Sequence, residues 1–217
     1  FLTLREILNL FGSFYSHTIP TDELLAMVNL TDKADAFVQN LSGGQRQRFS
    51  IAASLVNDPE IVFLDEPSTG LDPLARRQLW QLIAGIKERG KTIILTTHYM
   101  EEAEMLCDRI AIMDEGKIIA IGETHKLIEQ SKSPFAIRFF APKLKAATRD
   151  QLSQLGEFTT LAGKESYYEL GLKTQADLNQ ALKILQDVEP ESITVSRASL
   201  EDLFLELTGK MIGVDNG

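Results

Sequence analysis

Ile61-Val62-Phe63-Leu64-Asp65-Glu66-Pro67 is a run of four apolar residues that ends in two adjacent carboxylates and a proline. A run this short and unbroken predicts a strand covered on both faces. Upstream, Asn57-Asp58-Pro59 stops a helix that begins after Ser42 and carries Phe49, Ala52, Ala53 and Val56. Downstream, Leu79, Leu82, Ile83 and Ile86 recur at helical spacing and lead to a second apolar run at residues 92–95. A short helical stretch at 101–106 precedes a strand at 109–113, and Asp114-Glu115-Gly116 turns tightly into another at 117–121. Strand, helix, strand, helix, strand predicts an α/β core, a mostly parallel sheet with helical crossovers.

Two further helices come before this core. Leu4, Ile7, Leu8, Phe11, Phe14 and Tyr15 form one apolar stripe, and Leu24, Leu25 and Val28 form a second after Pro20. The polar, proline-bearing stretch Glu129-Gln-Ser-Lys-Ser-Pro134 reads as a linker. The expected domains are therefore 1–131, with a helical part at about 1–57 and a sheet core at about 58–131, and 132–217. In the second, Phe135, Ile137 and Phe139 alternate as a strand, and a helix carries Leu144, Ala147, Leu152 and Leu155. A hairpin at 158–172 is expected to turn at Gly163-Lys164, followed by a helix with Leu178, Leu182 and Leu185 and a strand at 193–195. That order is βαββαβ, a small α+β ferredoxin-like domain. Ser199-x-x-Asp202 has capping-box spacing and opens a last helix that buries Leu200, Leu203, Phe204 and Leu207.

The 217 residues hold 22 Lys and Arg against 31 Asp and Glu, a formal net charge of −9. Such a balance does not favour nucleic-acid backbone or anionic lipid through bulk charge. One cysteine leaves no disulfide framework within the chain, which suits a reducing compartment. No apolar stretch approaches the ~20 residues that span a bilayer, so a membrane connection is expected to run through a partner.

Chemistry-bearing residues gather at three places. Ser42-Gly43-Gly44-Gln45 stands directly before a helix, where free N–H groups and the positive end of the helix dipole suit a phosphate. Asp65 and Glu66 leave the carboxyl end of a strand, the edge at which open α/β sheets place ligands. One carboxylate there can serve Mg²⁺ while its neighbour orients and deprotonates a water. The next strand delivers His98 to the same edge.

The order of these pieces resembles the ATP-binding cassette family, a branch of the P-loop NTPases. Residues 41–48, LSGGQRQR, look like its signature motif, and 61–66, IVFLDE, like its Walker B strand. Thr69-Gly70-Leu71-Asp72 resembles the D-loop, and His98 within Thr96-Thr-His-Tyr the switch histidine. The resemblance implies ATP held between two head-to-tail ATPase subunits. Ser42, Gly43, Gly44 and Gln45 would bind nucleotide across the dimer and Asp72 would be a cross-subunit strut. Asp65 would serve Mg²⁺, Glu66 would be the general base, and His98 the γ-phosphate sensor. The C-terminal segment resembles, more loosely, the small domain of ABC-2-type exporters. The chain is thus expected to be an exporter's energy-coupling subunit beside a separate integral membrane permease. It would sit in the cytoplasm, peripheral to the membrane, with no nucleic-acid partner.

The resemblance also implies a phosphate loop, an adenine-stacking aromatic and a Gln-containing loop before the signature, and no such segments precede residue 41 here. A literal phosphate-loop match exists at Gly85-Ile-Lys-Glu-Arg-Gly90-Lys91-Thr92. The motif works only as strand, loop, helix, whereas here a helix precedes and a strand follows, so Gly90 is expected past a helix end and Lys91 exposed beside it. The chain therefore reads as the back of a catalytic core plus a C-terminal domain, inactive by itself. A soluble cassette ATPase acting on nucleic acid or ribosomes is the alternative, and a mere folding and interaction unit a third. Trp80 and Cys107 read as helical core residues.

Overall fold

The computed structural model describes residues 2–161 and 166–208 and divides into two compact units, Phe1–Leu106 and Cys107–Gly217. In the first, α1 (Leu4–Gly12), α2 (Thr21–Met27) and α3 (Gly43–Ser54) precede β1 (Ile61–Asp65), α4 (Pro73–Glu88), β2 (Thr92–Thr96) and α5 (Met100–Leu106). Helix α1 opens on a capping box between Thr3 and Glu6, and the Thr3 N–H and hydroxyl, both donating to Glu6 Oε2, keep the Glu6 carboxyl below its ordinary value. Phe14 and Tyr15, expected to continue the helical stripe, lie beyond its end and are exposed. Proline at the N-cap starts α2, and Ser42 caps α3.

Strands β1 and β2 pair in parallel, with Ile61 opposite Thr92 and Asp65 opposite Thr96. Val62 and Leu64 join Leu79, Ile83 and Ile86 of α4 in one apolar cluster that also takes in Leu4, Leu8, Leu24 and Phe49. The other face differs from the expectation of cover on both sides: Phe63 is 72% and Ile94 48% exposed. Period-two alternation sends β1 residues to opposite faces, and within this unit only the face of Val62 and Leu64 meets the core.

The second unit opens with β3 (Arg109–Asp114) and β4 (Lys117–Glu123), an antiparallel hairpin that forms its own two-stranded sheet. The sequence predicts both this hairpin and a further parallel strand; the hairpin is present, and β3 pairs in it with β4. Positive φ at Glu115 (47°) and Gly116 (75°) makes the tight turn that closes such a hairpin. Helix α6 (Thr124–Ile128), unanticipated in the sequence, packs on α9 (Leu200–Thr208). The stretch read as a linker is pinned: buried Ser131 donates to Glu206 Oε1 at 2.5 Å, and the Lys132 N–H donates to Glu206 Oε2 at 2.9 Å.

Strands β5 (Phe135–Phe140), β6 (Gly156–Thr160), β7 (Tyr167–Leu172) and β8 (Ser192–Arg197) form an antiparallel sheet in the order β6-β7-β5-β8. With α7 (Ala146–Ser153) and α8 (Gln175–Gln186) this is the expected split βαβ sandwich. Ile137, Phe139, Leu170 and Leu172 pack with Leu152, Leu178 and Leu185 of the two helices. The turn expected at Gly163-Lys164 lies outside the described residues. Ser199 and Asp202 form the anticipated capping box, and Leu200 and Leu203 of α9 are buried. Leu207, expected inside, is 45% exposed.

Candidate functional site

The carboxyl edge of the β1–β2 pair carries the densest chemistry. Asp65 is the last residue of β1, and the Thr96 hydroxyl at the end of β2 donates to its Oδ1. The chain then turns sharply at Glu66, whose φ of 42° lies in the left-handed region that favours glycine. Two hydrogen bonds hold that conformation: the Glu66 N–H donates to the Thr96 carbonyl at 3.0 Å and to Thr96 Oγ1 at 3.1 Å. The Glu66 carboxylate stays half-exposed and accepts from the Thr69 hydroxyl at 3.0 Å. His98 Nδ1 lies 3.3 Å from the same oxygen, Glu66 Oε2. The imidazole is also stacked obliquely on Tyr99, with ring centroids 4.2 Å apart, and Tyr99 in turn lies under the Arg76 guanidinium at 4.5 Å. The structure therefore brings Asp65, Glu66 and His98 together, as the sequence predicts. A half-exposed carboxylate beside an imidazole can hold a water and take its proton.

Ser42, Gly43, Gly44 and Gln45 form the start of α3. The Gln45 N–H donates to Ser42 Oγ at 3.3 Å, and the Ser42 N–H donates to Gln45 Oε1 at 2.9 Å. This capping box satisfies two donors and leaves others in the first turn free. A Cβ on Gly43 would meet nothing within 4 Å, whereas one on Gly44 would lie 3.1 Å from Ala75 Cβ. Gly43 thus leaves its side open to an incoming group, while Gly44 lets α3 approach the start of α4. Asp72 caps α4, accepting from the Leu74 and Ala75 N–H groups at 2.9 Å each. The signature-like turn and Asp72 are neighbours in this way. Among the described residues, no hydrogen bond or ion pair joins them to Asp65, Glu66 or His98.

Four features were not legible in sequence. Thr96 ties the Asp65 carboxylate and the Glu66 backbone to the neighbouring strand. Trp80, read as a core residue, donates its indole N–H to Ser68 Oγ at 3.1 Å and to Glu102 Oε1 at 2.9 Å, and Ser68 donates to the same oxygen. Glu102 is fully buried, and its Oε2 has no hydrogen-bond partner among the described residues. This network joins the segment after Glu66 to the helix after His98. Cys107, also read as helical core, follows the end of α5 and is half-buried. Lys91, expected to be exposed, is 17% exposed and pairs with Asp58 Oδ1 at 2.6 Å. Its neighbour Gly90 has φ 83° past the end of α4, so the literal phosphate-loop match is the helix-to-strand turn that the order of elements predicts.

No cluster of three or more His, Cys, Asp or Glu side chains that could hold a metal occurs among the described residues. No helix among them is long and apolar enough to cross a membrane.

Comparison with known proteins points to one family. The family model of the ABC transporter matches residues 5–69. Nod factor export ATP-binding protein I of Burkholderia lata is 39% identical over 218 residues, which cover 96% of this chain and 68% of that protein. The protein of the same name from Paraburkholderia xenovorans is 40% identical over 215 residues, with the same coverage. A solved ATP-binding subunit of an ABC transporter superposes with a TM-score of 0.50 at 31% identity, over 59% of this chain and 56% of its own. The chain therefore spans about two thirds of the length of the curated relatives it matches and a little over half of the solved subunit.

Proposed function

This chain belongs to the ATP-binding subunits of the ABC transporter family, and on that premise we propose that it supplies the water-activating half of an ATP-hydrolysing site that drives export through a separate membrane permease. The observation that carries this reading is the pairing of Glu66 with His98 at the carboxyl edge of two parallel strands. Glu66 takes the proton from the attacking water. Its carboxylate is held by Thr69 and by the Thr96 bonds to its backbone, so it does not swing away from the strand end. His98, oriented by Glu66 through Nδ1 and by Tyr99 through ring contact, meets the terminal phosphate.

Asp65 is the residue that serves Mg²⁺. Its carboxylate is exposed at the strand end, where it would hold an ion that keeps several waters. Held by Asp65, such an ion would supply neutralisation of phosphate charge. Ser42, Gly43, Gly44 and Gln45 bind the phosphates of a second, head-to-tail subunit, using the open side at Gly43 and the remaining free donors of α3. Asp72, beside that turn, is the strut between subunits. In this reading the ATPase portion runs to residue 131 and the accessory domain from 132, and the chain works at the cytoplasmic face of the membrane. The alternative, a cassette ATPase acting on nucleic acid or ribosomes, is not favoured, because the relatives are export ATP-binding proteins.

The test is ATP turnover by the full-length gene product. Hydrolysis that needs Mg²⁺ and stops on chelation is expected. A product that binds no nucleotide and releases no phosphate under any divalent cation would overturn the reading.

A further inference from the structure

Among the described residues Glu102 is the only buried carboxylate, and Ser68 is buried with it. Its Oε1 accepts from the Ser68 hydroxyl and, at 2.9 Å, from the Trp80 indole N–H. Its Oε2 is buried with no hydrogen-bond partner among the described residues. For packing alone this is a poor choice, because an apolar side chain of similar bulk would leave no orphaned oxygen in the core. What the carboxylate supplies and an apolar chain does not is an acceptor for Ser68.

That bond lies close to the reacting groups. Ser68 stands two residues after Glu66, and Glu102 four residues after His98. The Glu102 and Ala103 N–H groups both donate to the Tyr99 carbonyl, at 3.1 and 3.2 Å, so the first turn of α5 is anchored to the residue beside His98. On the other segment, the Thr69 N–H donates to the Glu66 carbonyl at 3.2 Å, and the Thr69 hydroxyl donates to Glu66 Oε2, the oxygen that faces His98. Thr96 joins the two segments ahead of Glu66 and His98, and the Ser68–Glu102 bond joins them behind. The pair therefore sits inside a closed ring of contacts. Helix α4 backs the rear tie: Trp80 meets Glu102, and Arg76, one turn earlier, lies over Tyr99. We propose, on the reading of Glu66 as the base, that Glu102 is a positioning residue for ATP hydrolysis, which by accepting from Ser68 keeps Thr69 on Glu66 and Glu66 against His98. The acceptor oxygen does this, and the charge is not needed for it. Without the bond Ser68 is released, Thr69 leaves Glu66 Oε2, and the base loses its register with the imidazole. A misplacement of about 1 Å at a reacting group costs up to about 10²-fold in rate.

ATP hydrolysis by the full-length product, with rates expressed per bound ATP, tests this. Glu102→Leu keeps a buried apolar chain and removes the acceptor, so kcat should fall about 10- to 100-fold. KM for ATP should stay within about twofold, because Glu102 touches no substrate. Glu102→Gln retains an acceptor for Ser68 and Trp80 and should bring kcat back to within about threefold of wild type. Ser68→Ala breaks the same bond from its other end, leaves Trp80 on Glu102, and should reproduce the Glu102→Leu pattern, which keeps the test decisive if Glu102→Leu fails to fold. In a Glu66→Gln background, adding Glu102→Leu should lower the residual rate by less than about twofold, since no base is left to misplace. A merely structural role would cut both backgrounds alike. Wild-type kcat in Glu102→Leu or Ser68→Ala, a glutamine variant no better than the leucine one, or an equal fall in both backgrounds would overturn the proposal. If Glu66→Gln by itself hydrolyses ATP at the wild-type rate, the reading of Glu66 fails and takes the proposal with it, so the two failures are told apart in one set of variants.

Discussion

His98 Nδ1 and Glu66 Oε2 stand 3.3 Å apart at the ends of adjacent parallel strands, with Thr96 bonded to the backbone of Glu66 and to the carboxylate of Asp65. Thr96 thereby ties the candidate base Glu66, through its backbone, and the candidate Mg²⁺ carboxylate Asp65 to one strand end, with His98 beside Glu66. The consequences are open to direct measurement.

In the proposed mechanism Thr96 acts through the Asp65 carboxylate and the Glu66 backbone and is a positioning residue. Thr96→Val keeps the shape and removes the hydroxyl, so the Glu66 N–H loses one acceptor and Asp65 its donor. One hydrogen bond is worth about 0.5–1.5 kcal/mol, which corresponds to a fall in kcat of about twofold to thirteenfold. Thr96→Ser should recover most of it, with KM for ATP little changed in either variant. Equal kcat for valine and threonine in the full-length product would remove this role.

The Ser68-Trp80-Glu102 network predicts a stability effect. Trp80→Phe keeps the ring and loses the indole N–H, leaving fully buried Glu102 with one donor fewer. The expected cost is about 1–3 kcal/mol. Urea unfolding followed by far-UV circular dichroism measures it; an unchanged midpoint and slope would mean that the indole bond contributes nothing.

Much of this was readable from local rules. Ser42 followed by Gln45, and Ser199 followed by Asp202, mark helix starts through bonds made within four residues, and both capping boxes are present. The short apolar runs before Asp65 and His98 place those side chains at a strand end because strand direction alone decides where a run delivers its next residue. What escaped depends on pairing across the chain. Nothing near Trp80 announces that its N–H meets Glu102, and nothing near Lys91 announces Asp58.

The reading of Ser42 as a group that acts on the opposite subunit can be tested with two lesions. Ser42→Arg fills the open turn, and Glu66→Gln removes the base. In mixed dimers of the full-length product carrying one lesion in each copy, action in trans places both lesions in one composite site and leaves the other intact, so about half the activity should remain. With both lesions in the same copy, each site holds one lesion and activity should collapse. Equal activity of the two arrangements, with mixed dimers verified, would contradict action in trans.

The central claim, that Glu66 is the general base, is tested most directly by Glu66→Gln in the full-length product, with ATP binding and hydrolysis followed in the same sample. Glutamine keeps the strand-end turn and cannot accept the proton. Hydrolysis should fall by about 10²- to 10⁴-fold while ATP stays bound in an accumulating dimer. Turnover at the wild-type rate with the glutamine in place would contradict the account.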